Sequence, residues 1–296
     1  MSFPRVVIVS SAASLFFWLN SVNEIIGSKV LFVCEKDAIR LAQTDNKQLC
    51  LVDARHECTL EGEAFNVCLD FKRLLAILRQ AMADDLCKLS YDGEKKFGVT
   101  LHSSSRQVTL DVPVRPLLQA MAIADSPKPT FEVAVPTGVW KNFLSLTRVS
   151  DKVIGLAVVG EPKALYMCLF VNECRALYKI NGNDKLQAES PPLDVPYDKL
   201  QGFFRQIYHL GIIKSIFKGL PLQQRVVMRL HQDRPLHVIL PMVGGRGTRF
   251  VVANVTLEPP TPDAKEQATP ESIPPASGDD DDLPDLIADG SSGDSK

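Results

Sequence analysis

The sequence lacks the cysteine spacing that would indicate a disulfide framework or a thiolate metal site. Its seven cysteines are scattered, none forms a C-x-x-C pair, and most lie in apolar runs. An odd, scattered set of this kind is typical of reduced thiols in the core of an intracellular protein. We therefore expect free cysteines that contribute to packing.

Long apolar runs are also missing, which argues against a membrane protein. No run approaches the roughly twenty apolar residues that a bilayer-spanning helix needs. Residues 1–20 contain one arginine and then an apolar stretch, but serines interrupt that stretch and no clear cleavage site follows it. We interpret this segment as a strand that runs into an amphipathic helix, not as a signal peptide, and we expect no membrane partner.

Catalytic motifs are the third absence. The five histidines show no metal-ligand spacing, and the sequence contains no G-x-S-x-G. The GGRG at residues 244–247 is not followed by the Lys-Ser or Lys-Thr of a phosphate-binding loop, and its position between two strand-like runs indicates a hairpin turn. A nuclease would need an acidic cluster, and none is visible. We therefore expect no catalysis, no metal site and no cofactor.

What the sequence contains is one order of elements that occurs twice. Hydrophobic periodicity in residues 1–112 predicts strand, helix, strands, helix and strands, and residues 131–257 repeat that order as a second domain. Four prolines in residues 113–130 predict an extended linker. Residues 258–296 are rich in Pro, Asp, Ser and Glu, which predicts a disordered acidic tail. The predicted helices span residues 11–26, 71–85, 137–151 and 211–219.

The formal net charge of −2 hides an uneven distribution along the chain. Residues 258–296 contain eleven acidic residues and two lysines, a charge of −9, which leaves +7 on residues 1–257. A mildly basic body indicates a surface for a polyanion such as nucleic acid, although composition alone is a weak signal.

Basic residues lie on the face opposite the apolar residues in three of the four predicted helices. In the third helix they recur at spacings of three and four, which predicts a basic stripe. The first helix differs, since its segment contains Glu24 and no base. A solvated charged face is the alternative for any one helix, whereas three such faces favour contact with nucleic-acid phosphates. The candidate contacts are Lys72, Arg79, Lys141, Arg148, Lys152, Lys214 and Lys218.

Residues 209–242, "HLGIIKSIFKGLPLQQRVVMRLHQDRPLHVILPM", resemble the last helix and strands of proliferating-cell nuclear antigen, a DNA sliding clamp. Weaker similarity to this family covers most of residues 1–257. The resemblance implies an α+β, two-domain sliding-clamp fold, with antiparallel sheets outside and four helices on the inner face.

Within the family, the sequence is most similar to the Rad-one type of subunit of the heterotrimeric 9-1-1 checkpoint clamp. The chain continues beyond "HVILPM" through "GGRGTRFVVANVTLEP", which resembles an added strand of that subunit. "YHLGIIKSIFKGL" and "LCKLSYDGEKKFGVTLHSSSRQVTLDVPV" resemble its final helix and its first-domain strands. A Hus-one-like subunit is an alternative, because "SSSRQVTLDVPV" also resembles its strand before the linker. A homotrimeric replicative processivity clamp is the other alternative.

The resemblance implies a ring of three chains around double-stranded DNA, closed by pairing of edge strands. The implied partners are Rad-nine-like and Hus-one-like subunits, a clamp loader, DNA, and peptide motifs of repair and checkpoint proteins, in the nucleus. Edge strands 105–112 and 174–180 would form the subunit interface, through Arg106, Val108, Leu110, Ala176, Tyr178 and Ile180. The linker would roof a groove for partner peptides, or would merely pack on the sheet; the groove residues are Leu117, Leu118, Met121, Ile123 and Pro241.

Overall fold

The first half of the chain folds in the order that its hydrophobic periodicity predicts. Ser11 and Asp70 cap its two helices, because their side chains accept hydrogen bonds from backbone N–H groups at 3.1 Å and 3.0 Å. The computed structural model describes residues 5–119, 121, 128–161, 164–181, 186–188, 200–241 and 247–255. The first-half elements are β1 (Arg5–Val9), α1 (Ala12–Val22), β2 (Lys29–Cys34), β3 (Ala38–Thr44), β4 (Cys50–Glu57), β5 (Thr59–Glu61), β6 (Phe65–Asp70), α2 (Phe71–Leu78), β7 (Leu86–Tyr91), β8 (Lys96–His102) and β9 (Gln107–Arg115).

The second half repeats the order, so each of its elements has a counterpart in the first. Among the described strands, only β5 and β14, of three residues each, were not predicted from the sequence. The second-half elements are β10 (Phe131–Pro136), α3 (Thr137–Ser145), β11 (Val153–Glu161), β12 (Ala164–Val171), β13 (Cys174–Asn181), β14 (Leu186–Ala188), β15 (Gln201–His209), α4 (Leu210–Lys218), β16 (Arg225–Leu230), β17 (Leu236–Leu240) and β18 (Thr248–Val252).

Strand pairing follows one scheme in both halves. β1 pairs with β7, β2 with β3 and β6, β3 with β4, and β8 with β7 and β9, all antiparallel. The counterparts β10 to β18 pair in the same way. One orientation differs, since β5 is antiparallel to β1 whereas β14 is parallel to β10. The fold is α+β, as predicted.

Pairing of β4 with β18 joins the two halves, with Val52 opposite Phe250 and Asp53 opposite Arg249. The ladder then runs without interruption in the order β15-β11-β12-β13-β14-β10-β16-β17-β18-β4-β3-β2-β6-β9-β8-β7-β1-β5. Because hydrogen bonds cross the boundary between the halves, the described residues fall in one compact unit, Met1–Thr256.

The helices bury one face against the sheet and contribute to one apolar core. Trp18 of α1 and Trp140 of α3 are each 1% exposed, and the Trp140 ring stacks on Phe217 of α4 with centroids 4.8 Å apart. Burial of each such aromatic side chain contributes about 1.5–3 kcal/mol. The opposite face of each helix is left to solvent, which is where the candidate bases were predicted.

Three helices are shorter than predicted. α2 ends at Leu78, and the Asp85 carboxylate then accepts a backbone N–H at 2.8 Å in a turn. α3 ends at Ser145, and Asp151 accepts the Arg148 N–H at 2.7 Å. α1 also ends four residues early. Hydrogen bonds from side chains to the backbone compete with helical hydrogen bonds. The helices α2 and α3 therefore end although the helical spacing of apolar residues continues beyond them.

Two strand ends lie near the predicted domain boundaries, which themselves stay a prediction. β10 begins at Phe131, where the second domain was predicted to begin. β9 runs to Arg115, so residues 113–115 belong to a strand although they were predicted to begin the linker. Residues 258–296 lie outside the described residues, and the disordered tail stays a prediction.

All seven cysteines are free, and five of them are buried, as their scattered positions predicted. Burial raises the pKa of the Cys87 thiol to about 12, which keeps it protonated and unreactive. None of the described helices has the length and apolar character that crossing a membrane requires.

Two buried histidines, His231 and His237, lie together with their ring centroids 5.0 Å apart. Burial, together with the charges of His231, Arg249 and Arg229, lowers the pKa of His237 to about 4. Burial also lowers the pKa of His231, together with Arg234 and Arg229. Both rings are therefore neutral at pH 7, and a proton is costly to place there.

We predict that acid weakens the fold through His237. The unfolded chain takes up a proton near pH 6.5, whereas the folded chain takes it up only near pH 4. The stability that depends on neutral His237 is therefore complete above pH 6.5 and is lost as the pH falls toward 4. In urea unfolding from pH 7 to 4, His237→Gln should reduce the loss by up to about 3 kcal/mol.

The control is His102→Gln at the exposed end of β8, which should keep the wild-type pH dependence. Equal pH dependence of the wild type and both variants would contradict a role for His237.

Candidate nucleic-acid interface

The helices pack in two pairs, α1 with α2 and α3 with α4. Two polar contacts connect elements along this layer. The Lys141 Nζ donates to the carbonyl oxygen of Lys218 at 3.2 Å, which links α3 to α4. The Lys218 Nζ lies 3.0 Å from Glu24 Oε1, which links α4 to the turn after α1. The helical layer is therefore continuous across the two halves.

The exposed face of α2 carries three bases. Lys72 and Arg79 are exposed, as predicted from the sequence, and Arg73 is exposed beside them. Lys72 and Arg73 occupy the first turn, where the helix macrodipole disfavours positive charge. Helix stability therefore does not account for these two residues. Arg73 was not predicted from the sequence, although its position next to Lys72 indicates that it could lie on the same exposed surface.

A cleft between α3 and α4 brings further bases together. Lys141 and Lys214 are half-buried, while the Lys218 side chain is 69% exposed. We name this feature the α3–α4 cleft; it encloses about 490 Å³. Ammonium and hydroxyl groups are donors that suit phosphate oxygens. The cleft is lined by Glu24, Lys141, Leu144, Ser145, Lys214, Ser215, Phe217 and Lys218.

The predicted stripe on α3 is wrong, because the helix ends before it is complete. Arg148 and Lys152 are exposed, but both lie after Ser145 on the loop to β11. Lys152 instead lines a second depression of about 700 Å³ together with Lys47 and His209, a grouping that spacing within one helix did not reveal.

The α1 helix is the neutral part of this layer. Its eleven residues include no base, and Glu24 follows it. Phe17 projects from it with 67% of its surface exposed. A duplex on the helical side would therefore meet bases on α2, α3 and α4, with a gap at α1.

The long strands β9 and β13 have a described partner on only one side over most of their length. Residues 107–113 of β9 pair with β8 on one side only, and β6 pairs with just Val114 and Arg115. In β13, residues 174–179 pair with β12 alone, since β14 meets only Ile180 and Asn181. These are the two segments predicted as edge strands.

The junction between β4 and β18 is a template for these edges. β13 is the counterpart of β4, and β9 is the counterpart of β18. Transferring the strand registers from one half to the other places Leu110 where Phe250 lies and Cys174 where Val52 lies. Phe250 and Val52 are fully buried against each other, whereas Leu110 is half-buried and Cys174 is exposed. The open edges therefore have the surface that a second pairing of this kind would cover.

Most of the predicted interface side chains are committed within the chain. Ala176, Tyr178 and Ile180 are at most 7% exposed and face the core, so only their backbone is available at the edge. The Arg106 guanidinium bonds the Gln80 carbonyl at 2.7 Å and the Asp85 carboxylate. The remaining two, Val108 and Leu110, are half-buried. The predicted strands β9 and β13 do have open backbone edges, but strand alternation directs three of the β13 side chains inward.

Asp85 is 1% exposed, so its carboxylate is buried. The ion pair with Arg106 offsets the free-energy cost of burying that charge. The hydrogen bond from Arg106 lowers the pKa of Asp85 below its ordinary value. The Asp85 carbonyl oxygen also accepts the Ala12 N–H at 2.9 Å, which anchors the start of α1. Arg106 thus joins the β8–β9 hairpin to the helical layer.

The linker contacts the sheet near β3, where the Met121 N–H donates to the Ala42 carbonyl oxygen at 3.4 Å. Exposed apolar residues beside a sheet edge are a surface on which a peptide can pack. Of the predicted groove residues, Leu117, Met121 and Pro241 are exposed, Leu118 is half-buried, and Ile123 lies outside the described residues.

The fold is similar to solved structures of proliferating-cell nuclear antigen (PCNA). Thermococcus kodakaraensis PCNA has a TM-score of 0.67 at 17% identity, over 85% of this chain and 100% of that chain. Entamoeba histolytica PCNA has a TM-score of 0.66 at 15% identity, over 85% and 99%. A. fulgidus PCNA bound to the C-terminal region of FEN-1 has a TM-score of 0.65 at 13% identity, over 87% and 100%. No family model and no curated protein matches the sequence. The chain has the sliding-clamp fold.

The strand after "HVILPM" is not an addition to this fold, contrary to the prediction. β18 pairs with β17 as β9 pairs with β8. The bridge between Tyr208 and Asn254 likewise corresponds to the pairing of Leu69 with Val114. Because β18 is the regular counterpart of β9, it does not distinguish a checkpoint subunit from other clamps.

We predict that Arg106→Ala lowers the thermal unfolding midpoint of the isolated chain, because the buried Asp85 charge then has no guanidinium beside it. Arg225→Ala, at the exposed start of β16, is the matched control and should leave the midpoint within about 1 °C. An unchanged midpoint for Arg106→Ala, with loss of assembly alone, would restore Arg106 to the interface.

Proposed function

We propose that the chain is a non-catalytic subunit of a heterotrimeric DNA-damage checkpoint clamp of the 9-1-1 type. It encircles duplex DNA in the nucleus and recruits repair and checkpoint factors. The observation that carries this proposal is the pair of open edges, β9 and β13, which are the counterparts of the strands joined inside the chain at β18 and β4.

Open edges need partners, because an unpaired ladder of N–H and C=O groups invites association. Joining β9 of one chain to β13 of the next repeats the internal junction between chains. Three chains of two similar halves then give a closed ring of six halves, which is the ring of three chains that the sequence resemblance implies. Leu110 lies at the centre of one interface of this chain and Cys174 at the centre of the other, each opposite a residue of a different partner subunit.

The inner face of such a ring is the helical layer. Bases on α2, α3 and α4 contact phosphates without regard to sequence, so the ring holds DNA and still moves along it. No described residue is required to cut or form a bond. The activity is that of a scaffold.

The neutral α1 helix favours a heterotrimer over a homotrimer. A homotrimer repeats the gap at Phe17 and Glu24 three times around the ring, whereas other subunits can place bases at the equivalent positions. The resemblance of residues 86–114 to the first-domain strands of a Rad-one subunit supports the same choice. A homotrimeric replicative clamp is the alternative, and a Hus-one-like subunit is a further one.

The linker surface is the proposed docking site for partner peptides. One of the similar structures is a PCNA bound to the C-terminal region of FEN-1, which shows that another clamp of this fold holds a peptide of a partner protein. In this chain Leu117 and Met121 offer exposed apolar side chains for such a peptide.

The first test is the native mass of the purified chain. We predict a monomer alone, and a complex of three different clamp-fold chains when the protein is purified from its source. Light scattering coupled to size exclusion measures the first, and mass spectrometry of the co-purified chains measures the second. A stable homotrimer of the isolated chain would contradict the heterotrimer and support the replicative alternative.

The second test concerns the binding of DNA phosphates. Replacing Lys72, Arg73 and Lys214 together with alanine should weaken binding to a 30-base-pair duplex by about 10- to 100-fold at 0.1 M salt. The slope of log K against log[salt] should decrease by about 0.9 for each phosphate that the variant no longer neutralises. Fluorescence anisotropy over a salt series measures both.

The matched control removes the same charge from the β7–β8 hairpin, by replacing Lys88, Lys95 and Lys96 with alanine. These lysines are exposed, and none of them lies on a helix. An equal loss of affinity in the control would contradict a DNA-facing helical layer.

A further inference from the structure

Glu24 is an acidic group among the bases of the helical layer. It lies in the turn after α1, and its carboxylate meets Lys218, 194 residues later in the chain, at 3.0 Å. Lys218 is the last residue of α4, and its carbonyl oxygen accepts the Lys141 ammonium at 3.2 Å. The Glu24 and Lys218 side chains therefore meet at the α3–α4 cleft, and the Lys141 ammonium bonds the backbone of Lys218 there.

The α3–α4 cleft has the chemistry of a phosphate site already occupied by an acid. Lys141, Lys214 and Lys218 supply three ammonium groups, and Ser145 and Ser215 add hydroxyl groups. Within this cluster the Glu24 carboxylate accepts from Lys218 as a phosphate oxygen would, since both are anionic acceptors of charge-assisted hydrogen bonds.

The exposure of the pair argues against a mainly structural role. The Glu24 and Lys218 side chains are 38% and 69% exposed, and ion pairs this exposed contribute little to stability. A phosphate that approaches Lys218, in contrast, must first displace Glu24 or accept its repulsion at close range. The pair therefore acts on an incoming anion more than on the fold.

We propose that Glu24 is a built-in counter-ion that competes with the DNA backbone for Lys218 in the α3–α4 cleft. This inference rests on the proposed function and adds to it a residue that limits affinity. A ring that moves along DNA must exchange phosphates readily, and an internal carboxylate lets Lys218 leave one phosphate without remaining unpaired. The chain thus holds duplex DNA more weakly than its basic residues alone would allow.

The test is Glu24→Gln in the full chain, with anisotropy of a labelled 30-base-pair duplex over a salt series. We expect binding about three- to tenfold tighter at 0.1 M salt, with a salt slope steeper by about 0.9, since Lys218 then neutralises one more phosphate. Glu94→Gln, in the turn between β7 and β8, is the matched control and should bind as the wild type does.

Lys218→Ala identifies the route of the effect. It should weaken binding in both backgrounds, but by a larger factor in the Glu24→Gln background, where it should also remove the whole gain. A gain that persists without Lys218, or an equal gain in Glu94→Gln, would overturn the proposal, because either result reflects net charge alone.

Two further outcomes separate this inference from the proposed function. If Glu24→Gln binds like the wild type while replacement of Lys72, Arg73 and Lys214 weakens binding, the counter-ion role of Glu24 is wrong. The proposed function as a DNA clamp is then still supported. If none of these variants changes binding, both are wrong. A fall in the unfolding midpoint of Glu24→Gln with unchanged affinity would assign Glu24 a structural role and also overturn the proposal.

Discussion

The hydrogen-bonding requirement of strand edges governs this structure. Every strand of the ladder from β15 to β5 has a described partner, and the ladder is continuous only because β4 accepts β18 across the two halves. The same duplication that creates this internal junction creates β13 and β9, its two unmatched counterparts. A chain built from two similar halves thus closes one junction by itself and leaves the edges of β13 and β9, the two halves of another, open.

The charged residues distinguish the helical side of the chain from the strand edges. The sheet carries the edges, while the helices carry exposed bases in positions that helix stability does not favour, such as the first turn of α2. Lys141, Lys218 and Glu24 connect the helices across the halves. A basic helical layer that also contains the Glu24 carboxylate suits duplex DNA, because the layer can bind phosphates and still release them as the ring moves along the duplex.

Much of the fold could be predicted from the sequence, because hydrophobic periodicity and capping residues are local signals. The order of elements and the exposure of Lys72 follow from spacing alone. The ends of α2 and α3 do not, since they depend on bonds made by Asp85 and Asp151 to backbone groups. The inward direction of Tyr178 and the role of β18 required the strand registers, which join residues far apart in sequence.

If the chain belongs to a ring around duplex DNA, the complex should be held on DNA that has no free end and lost from DNA that has one. The complex assembled with its co-purifying partners is placed on closed circular DNA, and its retention in high salt is measured before and after a single cut. We expect retention on the circle and rapid loss from the linear form, because a ring slides off an open end. Equal retention on both forms would contradict encirclement.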